Sequence, residues 1–186
     1  MATVILGLAV IILACLLVVV TIRLKKQKEK NTEAENWHKI AFTDDLTGLS
    51  NRMAYSEHIR RIKANKSLWA NFAIILFDID NFKKINDTKG HLEGDRILKE
   101  CAEMLKEIFK YSDSCVYRIG GDEFAVVLEN VGEQYIINAL LNIKKYEESH
   151  QSFRVSKGYS KAVGEDFDKM LEQADEMLYA DKNSKK

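Results

Sequence analysis

The run FAIILF, residues 72–77, is six apolar residues without interruption. Such a run is expected of a strand buried on both faces. Beyond residue 77 the apolar period alternates. In GHLEGDRILKECAEMLKEIF (90–109), Ile97, Leu98, Cys101, Met104, Leu105, Ile108 and Phe109 recur with helical spacing. Residues 115–119 and 124–128 read as short strands joined at Gly120 and Gly121. Residues 133–149 read as a helix carrying Ile136, Ile137, Leu140, Leu141 and Ile143. FRVSKGYS (153–160) reads as a strand, and residues 166–180 as a closing helix with Phe167, Met170, Leu171, Ala174 and Leu178 on one face. Ahead of the run stand a turn-dense segment, TDDLTGLSNR (43–52), and a helix over Met53–Lys63.

From residue 72 to 160 the order is strand, helix, strand, strand, helix, strand, the split βαβ or ferredoxin-like arrangement. The expected fold class is α+β: a ferredoxin-like, palm-like βαββαβ core with flanking helices, preceded by one transmembrane helix. In this arrangement the first strand lies antiparallel beside the third. Asp78 to Asp80, closing the first, therefore meet Asp122 and Glu123, opening the third.

The transmembrane expectation comes from Val4 to Ile22, 19 residues without a charge, about the length of one bilayer span. Arg23, Lys25, Lys26, Lys28 and Lys30 come next. A signal peptide would carry its positive charge before the apolar run, and the first three residues carry none. The positive-inside tendency places residue 23 onward in the cytoplasm. We expect an anchor over 1–22, a helical cytoplasmic linker over 23–42 with Ala34, Trp37 and Ala41 at helical spacing, and a domain over 43–186, on the cytoplasmic face of the inner membrane. With three residues ahead of the span, no extracytoplasmic sensor is expected. Elsewhere the 28 basic and 28 acidic residues balance, so no overall field argues for nucleic acid. The three cysteines, Cys15, Cys101 and Cys115, lack metal or disulfide spacing, which suits a reducing compartment.

RIGGDEFAVVL (118–128) admits two readings. Gly-Gly is a common two-residue hairpin signal with acids facing water. It also suits a turn where backbone approaches a ligand beside a metal. Converging carboxylates with no His or Cys cluster suit a hard cation, Mg²⁺ or Mn²⁺. Magnesium held by one or two carboxylates commonly shares its coordination with substrate phosphates, so the chemistry indicated is phosphoryl or nucleotidyl transfer.

DDLTGLSNR (44–52), FDIDNFKKINDTKGHLEGD (77–95) and RIGGDEF (118–124) resemble, in order and spacing, the motifs of GGDEF domains, the bacterial diguanylate cyclases that join two GTP into cyclic di-GMP. The resemblance covers residues 43–182. It implies metal binding by Asp78 and Asp122, with the Ile79 carbonyl assisting, and a metal-ligand or base-assisting role for Glu123. It implies that Gly120 and Gly121 let the nucleotide approach the hairpin. Asn86 and Asp95 match positions that read the guanine edge, and an acceptor there suits the N1–H and N2 donors of guanine. Phe82 and Lys83 match residues that reach the phosphates, and Lys182 matches a phosphate-binding lysine. The implied activity is a Mg²⁺-dependent condensation of two GTP, with release of pyrophosphate, by a membrane-anchored homodimer. Taken singly, Asn86 and Asp87 also suit a turn, Asp95 an early-helix acid, and Phe82 a core position.

Two stretches depart from the family pattern. An Arg-x-x-Asp product-inhibition site would fall at YSDS (111–114), where Tyr111 and Ser114 replace its ends. The C-terminal Ala-Lys-x-x-Gly-Arg-Asn is replaced by ADKNSKK, so Asp181 precedes Lys182 and Lys186 stands at the arginine position. A lysine cannot reproduce an arginine's bidentate grip. The competing expectation is a weak or inactive module that binds GTP or a protein partner at the membrane.

Overall fold

The structure is a computed structural model that describes residues 1, 17, 20–28, 37, 39–66, 69, 72–110, 114–161 and 167–185. Most of the run 4–22, part of the linker 23–42, Tyr111 and Lys186 lie outside them. Residues 20–28 and 39–42 are helical, and among the described residues no helix is long and apolar enough to cross a membrane. The chain divides into two compact units, Met1–Ala41 and Phe42–Lys186.

The second unit runs α1 (Arg52–Ala64), β1 (Ala73–Ile79), α2 (Phe82–Lys89), α3 (His91–Phe109), β2 (Ser114–Arg118), β3 (Glu123–Leu128), α4 (Glu133–His150), β4 (Val155–Lys161) and α5 (Phe167–Ser184). The four strands form one antiparallel sheet in the order β2-β3-β1-β4. This is the α+β order expected from the sequence, with β1 between β3 and β4.

The apolar run explains itself in this position. Successive side chains of a strand point to opposite faces. Ile75, Phe77 and Ile79 enter one core, which holds Ile97, Cys101 and Leu105 of α3 with Ile136 and Ile143 of α4. Ile74 enters another, with Ile62 of α1, Ala125 and Val127 of β3, and Phe167, Met170 and Ala174 of α5. Both faces of β1 are dry, so neither parity tolerates a polar residue until Asp78.

Gly158 sets how closely α5 lies on the sheet. A Cβ there would fall 2.1 Å from the Ala174 carbonyl oxygen and 2.2 Å from the Leu178 nitrogen, so only a glycine admits the helix backbone. The helix continues to Ser184, four residues beyond the expected end, and carries Lys182 within its last turn. α2 is an element that the apolar pattern does not announce. Residues 82–89 contain only Phe82 and Ile85 as large apolar side chains, too few to establish a period, yet they form a helix. Asn86 and Asp87 are therefore helical, not a turn.

Candidate active site

The hairpin between β2 and β3 is wider than a two-residue turn. The Glu123 carbonyl accepts from Ile119 N at 2.9 Å and Gly120 N at 3.3 Å, leaving Gly120, Gly121 and Asp122 as the loop. Neither glycine has positive φ, so conformational freedom is not what selects them. Space is. A Cβ on Gly120 would meet Glu123 Oε2 at 2.3 Å, while nothing lies within 4 Å of one built on Gly121. The Glu123 side chain folds back over Gly120, and the approach to Gly121 is open.

A clamp from the first motif holds this loop. Arg118 donates to the Gly121 carbonyl through Nη2 (2.7 Å) and Nε (3.2 Å), and to both Asp44 carboxylate oxygens through Nη1 (3.1 and 3.2 Å). Asp44 also accepts from Thr47 N at 2.9 Å and Thr47 Oγ1 at 2.7 Å. Burial opposes the Asp44 charge, but the Thr47 hydrogen bonds and the Arg118 guanidinium outweigh it and hold the carboxyl below its ordinary pKa. Ser50 O accepts from Arg118 N at 2.9 Å, so the whole turn segment is sewn to the base of the hairpin. Arg118, Asp44 and Thr47 lie inside the quoted motifs, but nothing in their spacing announces that they meet.

The antiparallel register places Asp78 opposite Glu123, and Ile79 N donates to the Asp122 carbonyl at 3.2 Å. Asp78 is 6% exposed. Its Oδ2 accepts from Lys182 Nζ at 2.6 Å, whereas its Oδ1 is buried without a hydrogen-bond partner. Burial, and then the neighbouring Asp78 charge, push the Asp122 carboxyl above its ordinary pKa, with Lys182 and Arg118 offsetting part of the rise. The Asp78 hydrogen bond raises the Lys182 ammonium in turn. Two crowded carboxylates with an orphaned buried oxygen form a site short of positive charge, and they fit a hard cation. Among the described residues no three His, Cys, Asp or Glu side chains gather as a metal site. The protein therefore offers two carboxylates and backbone oxygen, the partial shell that suits magnesium completed by water and phosphate. Glu123, exposed and turned over Gly120, stands outside that pair.

Asp80 is already engaged. Ser156 Oγ donates to its Oδ1, and Lys185 Nζ lies 3.4 Å from its Oδ2. Asp181 accepts from Lys185 Nζ at 2.9 Å and from Lys157 N at 2.9 Å, which ties the last turn of α5 to β4.

The guanine-reading candidates sit on the α2–α3 pair. Asn86 Oδ1 is buried and unpartnered, and a Cβ on Gly94 would fall 2.0 Å from it. Asp95, next in α3, is half-buried and forms no hydrogen bond or ion pair among the described residues. Phe82 packs against the core, which leaves its backbone for any ligand, and Lys83 is exposed. The structure thus joins Asp78, Ile79, Asp122 and Lys182 at one edge and Asn86 with Gly94 at another. No hydrogen bond links the two sets among the described residues.

Residues 41–186 match the family model described as "Diguanylate cyclase, GGDEF domain", and the chain belongs to that family. Diguanylate cyclase DgcN of Escherichia coli is 38% identical over 157 residues, which is 79% of this chain and 38% of that protein. Diguanylate cyclase DgcS of Shewanella oneidensis is 34% identical over 150 residues, 77% of this chain and 50% of that protein. The chain thus spans half or less of these curated relatives. Among solved structures, the coiled coil and GGDEF domain of DgcB from Caulobacter crescentus, in complex with c-di-GMP, superposes with a TM-score of 0.76. At 24% identity over 89% of this chain and 93% of that one, the likeness speaks for the fold.

Proposed function

We propose that this protein is a membrane-anchored diguanylate cyclase that condenses two GTP into cyclic di-GMP and releases two pyrophosphates. The observation that carries the reading is the Asp78–Asp122 pair, with a buried Asp78 oxygen lacking any partner, beside an open glycine loop. A divalent cation, Mg²⁺ or Mn²⁺, held by Asp78, Asp122 and the Ile79 carbonyl would neutralise phosphate charge and stabilise departing pyrophosphate. Arg118 and Asp44 keep the loop carbonyl in place, so that Asp122 is presented without rearrangement. Lys182, resting on Asp78, is placed to turn to a phosphate. Glu123 is positioned near the loop to help accept the 3′-hydroxyl proton. Asn86 and Asp95 offer the acceptors that guanine N1–H and N2 require.

Each 3′-oxygen attacks the α-phosphorus of the other GTP, the bond to pyrophosphate breaks, and the hydroxyl proton leaves to a base or water. One chain presents one nucleotide, so two chains must face each other. The uncharged run 4–22 with its five following cations supports a single span that leaves this domain in the cytoplasm.

Full-length protein incubated with GTP and Mg²⁺ should yield cyclic di-GMP and pyrophosphate. A second reading, a module that binds GTP without turning it over, draws on the Lys182–Asp78 pair that fills part of the site and on Asp181 and Lys185 in the atypical C-terminus. GTP binding with no cyclic product at any protein concentration would favour it.

A further inference from the structure

A cavity of about 720 Å³ opens beside the β1–α2 turn, walled in part by Asp80, Asn81, Phe153, Arg154, Lys182 and Lys185. Lys182 reaches from its wall to Asp78 on the carboxylate edge. Its three cations differ in their commitments. Lys182 is paired with Asp78 at 2.6 Å. Lys185 is paired with Asp181 at 2.9 Å, faces Asp80 at 3.4 Å, and donates to the Val155 carbonyl at 2.9 Å. The Arg154 guanidinium has no hydrogen bond or ion pair among the described residues. Its main chain, by contrast, is pinned. The Arg154 carbonyl accepts from Asp80 N at 2.9 Å, and the next nitrogen, that of Val155, donates to Glu147 Oε1 at 2.7 Å.

Lys182 and Lys185 face three carboxylates, Asp78, Asp80 and Asp181, so neither lysine is uncommitted. Arg154 is the cation of this wall without an anionic partner among the described residues. The Arg154 side chain is exposed and uncommitted, and a planar guanidinium fork can grip a phosphate through two parallel hydrogen bonds. The volume exceeds what a single phosphate fills.

We propose that Arg154 binds the terminal phosphates of a nucleoside triphosphate, and so makes the site read polyphosphate length from the residue that leads into β4. The assignment rests on the reading of Asp78 and Asp122 as the place of the α-phosphate. Lys182 spans the two places, from the carboxylate edge to the cavity.

The test uses the full-length chain with Mg²⁺ and two probes. 3′-Deoxy-GTP carries all three phosphates but lacks the attacking hydroxyl, and GMP lacks the terminal phosphates. Arg154→Ala should weaken 3′-deoxy-GTP binding about tenfold, as expected for losing a charge-assisted pair, and leave GMP binding unchanged. Arg154→Lys should recover part of the loss. In turnover, KM for GTP should rise while kcat changes little, the pattern of an interaction made equally in ground and transition states. Unaltered 3′-deoxy-GTP binding in a variant with wild-type melting temperature would overturn the assignment, as would equal weakening of 3′-deoxy-GTP and GMP. If Arg154→Ala fails to fold, Arg154→Lys decides, since wild-type affinity there would exclude a guanidinium grip. Wild-type protein that binds no 3′-deoxy-GTP would overturn the reading of the carboxylate edge itself, and this assignment with it. Normal wild-type binding with an indifferent Arg154 would remove only the latter.

Discussion

Just beyond the end of β3, Glu129 accepts from His58 Nε2 at 2.8 Å and from Arg61 Nη2 at 2.7 Å, while the other ring nitrogen of His58 pairs with the Tyr117 hydroxyl. Just before its start, Asp122 crowds against Asp78, whose Oδ1 has no partner at all. Both clusters are partly buried, polar and charged. In the first every strong group finds a partner, and burial pressure on His58 is outweighed by Cys115 and Glu129, which raise its pKa above 6.5. In the second, burial and like charge act together and raise an acid's pKa. A satisfied network of this kind holds structure together, whereas an unsatisfied one costs stability and persists where a ligand completes it. One strand therefore carries a satisfied polar cluster at one end and an unsatisfied one at the other.

The contrast is tested most severely at Asp122. Asp122→Asn should lower the rate of cyclic di-GMP formation by about 100-fold or more, since it removes an anionic ligand of the proposed cation and so weakens Mg²⁺ binding. The same change should raise the melting temperature at neutral pH. A carboxyl with a raised folded pKa destabilises the fold once ionised, and the amide removes that charge. Near-wild-type turnover, or a lower melting temperature, would place Asp122 among the structural acids.

A second test asks whether the α2–α3 acceptors belong to the functional side. Wild-type protein should strongly prefer GTP to ATP, and Asp95→Asn should reduce that preference about tenfold, because an acceptor left facing the wrong base edge costs about 1–3 kcal/mol. Competition between the two nucleotides in one reaction reads this directly. Equal incorporation by the wild-type protein would remove Asp95 from base recognition.

The opposite end should respond in stability alone. Glu129→Gln removes the charge shared by His58 and Arg61 and should cost about 1–3 kcal/mol in denaturant unfolding, with turnover per folded molecule unchanged. Its pH dependence has a definite sign. A histidine whose folded pKa lies above 6.5 contributes stability that is complete below 6.5 and lost as pH rises through the folded value. The wild-type advantage over Glu129→Gln should be largest below pH 6.5 and shrink above it, with the Arg61 share remaining. An advantage that grows with pH would mean that His58 is neutral in the fold.

The smallest effect expected is that of Mg²⁺ on the nucleotide-free protein. Lys182 occupies Asp78 Oδ2 and competes with a cation there. Lys182→Met should melt lower than wild type without metal and gain more from added Mg²⁺, because binding to the folded state alone stabilises it. Equal Mg²⁺ shifts in both proteins would put the cation elsewhere.

Much of this architecture is legible along the chain. A strand buried on both faces must be apolar at both parities, so FAIILF announces a central β1, and the order of elements then brings Asp78 to Asp122. The three motif strings carry the family. Where the signal is weak, the reading fails for identifiable reasons. α2 has two large apolar side chains and no period, and it is held by packing on α3, where Gly94 leaves room for Asn86. The hairpin loop has three residues because Glu123 O accepts from both Ile119 and Gly120, a pattern that the Gly-Gly pair does not encode.

The alternation of elements, the strand order and the meeting of Asp78 with Asp122 are written in the chain, since they arise from periodicity and the handed, antiparallel pairing of short segments. Asp80, by contrast, is drawn to Ser156 and Lys185, and Glu123 turns over Gly120. Which charges touch was settled by packing in three dimensions. Lys182 reaches Asp78 across 104 positions because Gly158 admits the backbone of α5, and Arg118 reaches Asp44 across 74 because the turn segment folds under the hairpin. Those contacts depend on how closely two packed elements approach, a distance set by every side chain between them and by no local pattern in either.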